Sequence, residues 1–511
     1  MSDLRSVFRA FGGISIMVGF ISLITLVVPL YFGEYGSNCK YDTITPILIT
    51  SAVFFIFGFP IYYIFRKADH ANYKSAMITA ALAWIIVPAI GIIPLILIPY
   101  NKETLVYMSP LSAFFESMSG WTGTGLTMVD KENLIPYTLQ FWRTIIQWIG
   151  GIGVIVLTLS ILARPGVGSF VLYKGEARSQ KTHPSIVSTV RTIWWIFLLY
   201  TIIGVVALTI IGFVTSNGMT PWQSLNHAMT ALATGGFGVT DDSITSFGVI
   251  SQIVVVILMI LGAIAFAAHY DLLKGRIKKF LSDVQFKAMI FLMILGVIGL
   301  TYINLKLSSV NGNILYSLKI SGFQFTSALT CTGFASVNVI GGPEGWSEIA
   351  KLILSFAMII GGAAGSTAGG IKLFRAALLY NGVRWRIKRA ISTPHRVFVH
   401  KLGSRFLSKD EAMDLINEAA IISFIWVILL FVGIFVLGVL YINETNYRLS
   451  DIIFEVCSAQ GNVGLTTGIT HIGMSSTAKI MLIFNMWIGR LEIIPVIVLA
   501  RSLFGIKSNI P

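Results

Sequence analysis

The sequence predicts an all-α polytopic membrane protein in which four membrane-pore-membrane repeats surround one central pore, preceded by two extra transmembrane helices. The first observation is the composition: of 511 residues, 55% are hydrophobic and only 12% are charged, with a mean hydropathy of +0.80. An average soluble domain has about 25% charged residues, so a soluble protein is excluded. The second observation is a pattern of capping, hydroxyl and glycine residues that recurs four times along the chain.

Apolar runs long enough to cross a bilayer occur from end to end of the chain. Four examples are each close to the roughly 20 residues that a spanning helix needs. They are residues 14–32, 47–65, 192–214 and 421–441. The first run follows Arg5 and Arg9, as in a signal peptide, but no small-residue cleavage site comes after it, so we expect a retained span. The first two runs, within residues 1–70, lack a pore segment, and we expect them to be peripheral.

The formal charge of +14 is distributed unevenly between the loops. Lys and Arg concentrate in one alternate set of loops: residues 164–191, 274–279 and 372–409. The intervening loops are sparse in charge or acidic: residues 34–42, 102–131, 241–242 and 344–348. This positive-inside pattern predicts a multi-pass protein of the cytoplasmic membrane with both termini in the cytoplasm. Because the positive charge has this topological explanation, we expect no nucleic-acid partner.

Four short segments, each too short to cross a bilayer as a helix, share one template and are predicted to be re-entrant pore segments. They align on Gly125, Gly236, Gly333 and Gly464, each followed directly by Leu or Phe. A small residue stands five positions before each glycine, and a hydroxyl residue stands six before it: Ser119, Thr230, Ser327 and Ser458. The glycines are roughly a hundred residues apart, which is typical of one supersecondary unit per repeat.

Capping residues predict where each pore helix begins. Ser109, Thr220 and Ser317 stand sixteen positions before their glycine and Ser450 stands fourteen before its own. All four are residue types that favour the N-cap, and proline follows two of them at the first helical position. Each repeat is therefore predicted to contain an outer helix, a capped pore helix, a glycine-containing loop and a long inner helix. The predicted limits of the four repeats are residues 71–180, 181–280, 281–405 and 406–511.

The pore loops are predicted to bind a cation through backbone oxygens. A short helix that stops halfway across the membrane directs the negative end of its dipole at the centre. A loop that turns its carbonyl oxygens inward replaces the hydration shell of the ion, and glycine permits the positive φ that such a turn requires. By itself this argument specifies only a monovalent cation. The predicted ligands, which form the predicted selectivity filter, are Gly123, Thr124, Gly125, Thr234, Gly235, Gly236, Cys331, Thr332, Gly333, Asn462, Val463 and Gly464.

A glycine-rich stretch, GGAAGSTAGGIK at residues 361–372, interrupts an apolar run of the third repeat. Its spacing does not fit a phosphate-binding loop, and its low helix propensity predicts an unwound segment that lines a wet cavity. We predict that this segment gates the pore together with Arg490, which lies in the last long apolar run. Arg490 has two interpretations of equal weight, a functional charge within the membrane or a structural ion pair with Glu455 or Glu492. The predicted gate residues are Gly361, Gly362, Gly365, Ser366, Thr367, Gly369, Gly370 and Arg490.

No catalytic or metal-ligand constellation stands out in the sequence. The three cysteines are too few and too scattered for a disulfide framework or a metal site, and the seven histidines show no ligand spacing. No nucleophile with a base and an orienting group is apparent, so we predict a transporter without an organic cofactor, not an enzyme.

Six motifs give the chain a resemblance to a known superfamily. They are SGWTGTGLT, FWRTIIQWIGGIG, GGFG, ILGAIAFAAH, GGAAGSTAGGIKLFR and WIGRLEI. Over essentially the whole chain they resemble the Trk, Ktr and HKT potassium transporters, and most closely the TrkH branch, which also has two leading spans. The fourth loop, SAQGNVGLTTG, is more similar to the Ktr branch.

The resemblance implies potassium as the transported ion, because Gly125 is retained where a serine accompanies sodium in HKT relatives. For Arg490 the resemblance implies a position in the pore. It also implies a homodimer with a separate pore in each protomer, and a cytosolic nucleotide-binding regulatory subunit that would contact the basic residues 384–396. The alternative partner of that stretch is anionic membrane lipid. Two alternative functions stay open: a sodium or non-selective monovalent cation transporter, and a secondary solute transporter with broken helices. The shared polarity of the four repeats argues against the second.

Overall fold

The structure is a computed structural model that describes residues 2–36, 39–68, 72–153, 186–307, 313–337, 339, 346–393, 400–403 and 405–503. Within these residues nearly all regular structure is helical, and β1 (His400–Leu402) and β2 (Arg405–Leu407) form a short antiparallel hairpin. Six described helices are long and apolar enough to cross a membrane, or up to eight when each of two bent helix pairs counts as one span. The prediction of an all-α polytopic fold is confirmed. The predicted boundaries at 70/71 and 180/181, and the basic residues 164–185 and 394–399, lie outside the described residues.

The leading helices form a closely packed pair. They are α1 (Ser2–Ile24), followed by the short α2 (Val27–Phe32), and α3 (Ile44–Phe65). A Cβ atom on Gly12 would lie 2.6 Å from the backbone nitrogen of Tyr62, so the two backbones approach as closely as glycine allows. The hydroxyls of Ser22 and Ser51 are hydrogen bonded to each other at 2.9 Å across the same interface.

The remaining helices repeat the order of outer, pore and inner helix four times. The first set is α4 (Tyr73–Ile90) with α5 (Ile93–Leu97), α6 (Pro110–Thr122) and α7 (Tyr137–Ile152). The second is α8 (Ile186–Val214), α9 (Pro221–Leu232) and α10 (Val249–Ala263), followed by α11 (Phe266–Leu273) and α12 (Ile277–Ser282). The third is α13 (Val284–Leu307), α14 (Ile314–Leu329) and α15 (Glu348–Ile360), followed by α16 (Leu373–Ala390). The fourth is α17 (Lys409–Leu440), α18 (Leu449–Gln460) and α19 (Ser476–Arg490), followed by α20 (Ile494–Leu503).

Two of the four predicted helix starts are correct and two are wrong. Ser109 caps α6 and Thr220 caps α9 as predicted, each with proline in the first turn. The pore helix α14 begins one turn before Ser317, because the side chain of Asn313 accepts hydrogen bonds from two backbone amides there. The pore helix α18 begins at Leu449, since the carboxylate of Asp451 accepts from the backbone amide of Arg448 at 2.8 Å.

The inner helix of each repeat packs against the pore helix of the next repeat. α7 contacts α9, α10 contacts α14, α15 contacts α18, and α19 contacts α6. Buried polar contacts join three of these pairs: Thr144 Oγ1 lies 2.6 Å from Asn226 Oδ1, Lys351 Nζ lies 2.6 Å from Asp451 Oδ1, and Lys479 Nζ lies 2.9 Å from Ser112 Oγ. Because the fourth repeat returns to the first, the four pore helices surround one axis.

Three of the inner helices are followed, at their C-terminal end, by a sharp bend or by a segment without helical structure. α10 and α11 meet at an angle of 106°, and α19 and α20 meet at 112°. α15 and α16 are separated by the glycine-rich residues 361–372, which have no helical structure. The unwound segment predicted in the third repeat is therefore present, and its position relative to the pore loops follows below.

Candidate functional site

The four aligned glycines meet in a closed ring. A Cβ atom on Gly125 would overlap the carbonyl oxygen of Gly235, and one on Gly236 would overlap that of Thr332. In the same way Gly333 abuts the carbonyl oxygen of Val463, and Gly464 abuts that of Thr124, which returns to the first repeat. The φ angles of the four glycines are +91°, +78°, +91° and +99° in chain order. Both the backbone conformation and the close approach therefore require glycine.

The residue two positions before each glycine is also in the left-handed region. Its φ is 68° at Gly123, 50° at Thr234, 54° at Cys331 and 53° at Asn462. A β-branched residue such as Thr234 rarely adopts this conformation, which costs about 1–3 kcal/mol and persists only where the surroundings impose it. The four loops therefore share one backbone conformation despite different side chains.

The hydroxyl residues of the sequence template bind the amides of the loop glycines. Ser119 Oγ accepts from the amide of Gly125 at 3.0 Å, and the equivalent serines of the third and fourth repeats accept from Gly333 at 3.1 Å and Gly464 at 3.0 Å. These bonds tie each glycine amide to its own pore helix, which leaves the neighbouring carbonyl oxygens as the polar groups available to a cation. The second repeat differs, since Thr230 Oγ1 donates to the carbonyl of Phe237 at 2.9 Å.

A second set of equivalent residues, which lie at one fixed offset from the ring glycines, was not predicted from the sequence. Nine positions before the glycine, Glu116, Gln324 and Glu455 accept hydrogen bonds from the backbone amide three positions after it: Met128 at 2.6 Å, Ser336 at 3.3 Å and Thr467 at 3.0 Å. These side chains hold the backbone of the segment that follows each ring glycine against the pore helix. The signal was available, because an acceptor type recurs at the same offset in the aligned segments, with His227 in the second repeat.

A buried ion pair lies within the first repeat, and its arginine also contacts the second repeat. Arg143 Nε on α7 lies 2.8 Å from Glu116 Oε1 on α6, and both side chains are buried. The same guanidinium donates to the hydroxyl of Thr127 at 3.0 Å and to the carbonyl of Gly238 at 3.2 Å. It thus holds the outgoing segments of two loops at once, which is a structural role.

All four ring glycines line one cavity of about 380 Å³. Three acidic residues, Asp130, Glu132 and Asp241, line the same cavity, and Glu132 belongs to a 3-10 turn between α6 and α7. Burial raises the pKa of Glu132 to about 7, against a smaller opposing effect of Arg143. Negative charge at the mouth of a cavity raises the local concentration of cations.

The glycine-rich loop, residues 361–372, lies against two of the filter loops. Thr367 Oγ1 is 2.9 Å from the hydroxyl of Thr234. A Cβ atom on Gly369 would overlap the carbonyl oxygen of Gly461, just before the fourth filter segment. Gly361, Gly365 and Gly370 have positive φ, so the loop is built from turns that are accessible to glycine.

Arg490 binds backbone carbonyls on two other repeats. Its guanidinium donates to the carbonyl of Thr367 at 2.9 Å and to that of Gly151, at the end of α7, at 2.7 Å. The two carboxylates considered as its partners have partners of their own: Glu492 binds Arg375, and Glu455 accepts from the amide of Thr467. Arg490 therefore fastens the glycine-rich loop to the inner helix of the first repeat.

The predicted filter residues are thus brought together in one ring, and the predicted gate residues lie next to it. Within the described residues no group of three or more His, Cys, Asp or Glu side chains is arranged to hold a metal ion. The polar groups that converge on the ring are mainly backbone carbonyls and hydroxyls. Such groups suit a weakly hydrated monovalent cation.

Comparison with known proteins identifies the family. The sequence model of TrkH, described as cation transport protein, matches residues 44–506. An uncharacterized cation transporter of Methanocaldococcus jannaschii is 33% identical over 505 residues, which cover 98% of this chain and 96% of the relative. The Trk system potassium uptake protein TrkH of Escherichia coli strain K12 is 30% identical over 450 residues, which cover 86% of this chain and 87% of the relative.

A solved structure has the same fold. The crystal structure of the potassium transporter TrkH from Vibrio parahaemolyticus matches with a TM-score of 0.79 and 25% identity, over 98% of this chain and 99% of that chain. The predicted resemblance is confirmed, as is the prediction of a transporter and not an enzyme. The chain is a membrane protein that belongs to the TrkH family of cation transport proteins.

Proposed function

We propose that this protein takes up potassium ions across the cytoplasmic membrane through the ring of four loops. The observation that carries the proposal is the ring itself, in which four glycines of equal conformation each abut a carbonyl oxygen of the next loop. The ligands are the backbone oxygens of residues 123–125, 234–236, 331–333 and 462–464. The names of relatives from Escherichia coli and Vibrio parahaemolyticus, which are potassium transporters, support potassium as the ion.

The repeats act as one unit in this proposal. The leading helices occupy residues 1–70, and the repeats occupy residues 71–180, 181–280, 281–405 and 406–511, each beginning with an outer helix that starts in the cytoplasm. Both termini are then cytoplasmic, in agreement with the basic composition of α16 and of the loops on that side.

The gate is the glycine-rich loop together with Arg490. Its contact with Thr234 supports a position directly below the filter, where an intact loop would obstruct the ion path. The bonds from Arg490 to Thr367 and Gly151 stabilise that position. The loop continues into α16, so a force applied to α16 from the cytoplasm reaches the loop and shifts it between closed and open positions.

A cytosolic nucleotide-binding subunit applies that force, and a second copy of the chain completes a homodimer. A basic cavity of about 1610 Å³ beside α16 and the start of α17 suits an acidic protein surface or anionic lipid. It is lined by Arg384, Arg386, Lys388, Arg389, Lys401 and Lys409. Reversing the charge of Arg384, Arg386, Lys388 and Arg389 should abolish co-purification of the subunit. A complex that survives this change removes the electrostatic part of the proposal.

One flux experiment separates potassium uptake from its alternatives. The purified protein is reconstituted in liposomes, rubidium uptake is measured, and potassium and sodium are added as competitors. Potassium should compete strongly and sodium weakly. Equal competition by both ions would favour a non-selective cation transporter, stronger competition by sodium would favour a sodium transporter, and no uptake of rubidium would contradict the proposed function.

A further inference from the structure

Gln147 lies on α7 of the first repeat and reaches the filter loop of the second. Its side chain is fully buried. Nε2 donates to the carbonyl oxygen of Gly235 at 2.7 Å, and Oε1 accepts from the amide of Phe237 at 2.9 Å. The two bonds therefore bracket Gly236, the ring glycine of the second repeat, from both sides.

The second loop lacks the support that the other three loops have. In the first, third and fourth repeats the amide of the ring glycine donates to a serine hydroxyl of its own pore helix. In the second repeat the equivalent hydroxyl, on Thr230, donates to the carbonyl of Phe237 instead. The hydrogen bonds that hold this loop come instead from Gln147, which belongs to the first repeat.

The packing of Gln147 explains a difference between the four loops. The position before the ring glycine holds a side chain in three repeats, namely Thr124, Thr332 and Val463. In the second repeat it is Gly235, where a Cβ atom would overlap the side chain of Gln147. The glycine therefore accommodates the side chain that binds the loop.

We propose that Gln147 is a positioning residue that sets ion selectivity by fixing the Gly235 carbonyl; this inference rests on the proposed function. That carbonyl oxygen abuts Gly125 in the ring and is one of the proposed ligands. A carbonyl has two lone pairs, so the bond from Gln147 holds its direction and leaves the second lone pair for the ion. Without that bond the carbonyl turns more freely, and a ring that relaxes adapts more readily to the smaller sodium ion.

The test compares two variants of the same helix. Gln147→Met keeps the length of the side chain but removes the donor and the strong acceptor. Thr144→Val, one turn earlier on α7, removes a buried hydrogen bond of 2.6 Å to Asn226 on the pore helix α9, away from the filter loop. For each purified protein, rubidium uptake into liposomes is measured with potassium or sodium as competitor, and the melting temperature is measured in parallel.

Gln147→Met should lower the potassium-to-sodium ratio about fivefold, which corresponds to about 1 kcal/mol at 1.4 kcal/mol per tenfold change. Thr144→Val should lower the melting temperature but keep the parental ratio. A parental ratio in Gln147→Met, or an equal fall in both variants, would overturn the positioning role. If Gln147→Met does not fold, Gln147→Leu carries the same test. A parent without rubidium uptake would refute the proposed function and this inference with it, whereas a selective parent with an unchanged Gln147→Met refutes the inference alone.

Discussion

Replacing Gly125 by serine perturbs the proposed filter where its loops touch. The added Cβ atom would lie 2.1 Å from the carbonyl oxygen of Gly235. An ordinary contact is about 3.5 Å, so one of the two backbones must move by about 1.4 Å. The φ of +91° at this position adds about 1–3 kcal/mol of backbone strain for a residue other than glycine.

A displacement of this size in a ring of ligands is large enough to change ion preference. Because the moved group is itself a proposed ligand, we expect Gly125→Ser to lower the potassium-to-sodium ratio by about tenfold or more in liposome flux assays, equivalent to about 1.4 kcal/mol or more. The matched variant is Gly123→Ala in the same loop. Gly123 also has a positive φ, of 68°, but apart from its two chain neighbours no residue has an atom within 4 Å of where its Cβ would be.

The difference between the two variants isolates the clash from the backbone strain. Gly123→Ala should lower the melting temperature and change the ratio much less than Gly125→Ser. If folded Gly125→Ser keeps the parental ratio, the ring at Gly125 does not select the ion, and the register of the filter is wrong.

Three further predictions concern the proposed gate, the ion pair between Lys351 and Asp451, and Glu132 in the cavity that the ring glycines line. Arg490→Ala should raise rubidium flux about tenfold in the absence of the proposed regulatory subunit and should leave ion preference intact, because it removes a charged hydrogen bond to Thr367 worth about 1.5 kcal/mol. Flux no faster than the parent would remove Arg490 from the proposed gate. Lys351→Met should destabilise the protein by about 3–5 kcal/mol in chemical unfolding, since it removes the cation that lies against the buried Asp451 carboxylate. Adding Asp451→Leu should restore part of the loss, because it removes the buried charge but also the bond from the Arg448 amide. Flux should fall about twofold as the external pH drops from 8 to 6, because Glu132 takes up a proton near pH 7 and the cavity that the ring glycines line loses one negative charge. A unit charge acting across about 10 Å of water contributes about 0.4 kcal/mol, which corresponds to about twofold. Glu132→Gln should abolish this dependence, and a pH profile that survives it would exclude Glu132.

Much of the site could be predicted because its determinants are local. The hydroxyl residue, the small residue and the glycine of each pore segment lie within seven positions, so their pattern is visible four times in the chain. The hydroxyls at Ser119, Ser327 and Ser458 then have one shared role, the bond to the glycine amide. The glycine-rich residues 361–372 were also recognisable, since poor helix propensity is a property of composition.

The predictions that failed and the one that stayed open have different physical reasons, a competition between neighbouring capping residues and contacts between distant residues. The starts of α14 and α18 are determined by Asn313 and Asp451, which compete with the serines chosen from the spacing. The partners of Arg490 were left open, and they are backbone carbonyls of Thr367 and Gly151, which no side-chain pattern reveals.

The sequence alone therefore determined the class of fold, the four repeats and which glycines need a positive φ, because these follow from hydropathy, capping and backbone sterics within short segments. Only the tertiary structure decided how the loops close on one another, that Gln147 supports the second loop from the first repeat, and that Arg490 fastens the glycine-rich loop. These contacts join residues more than eighty positions apart, and their geometry is created only when the inner helix of each repeat packs against the pore helix of the next.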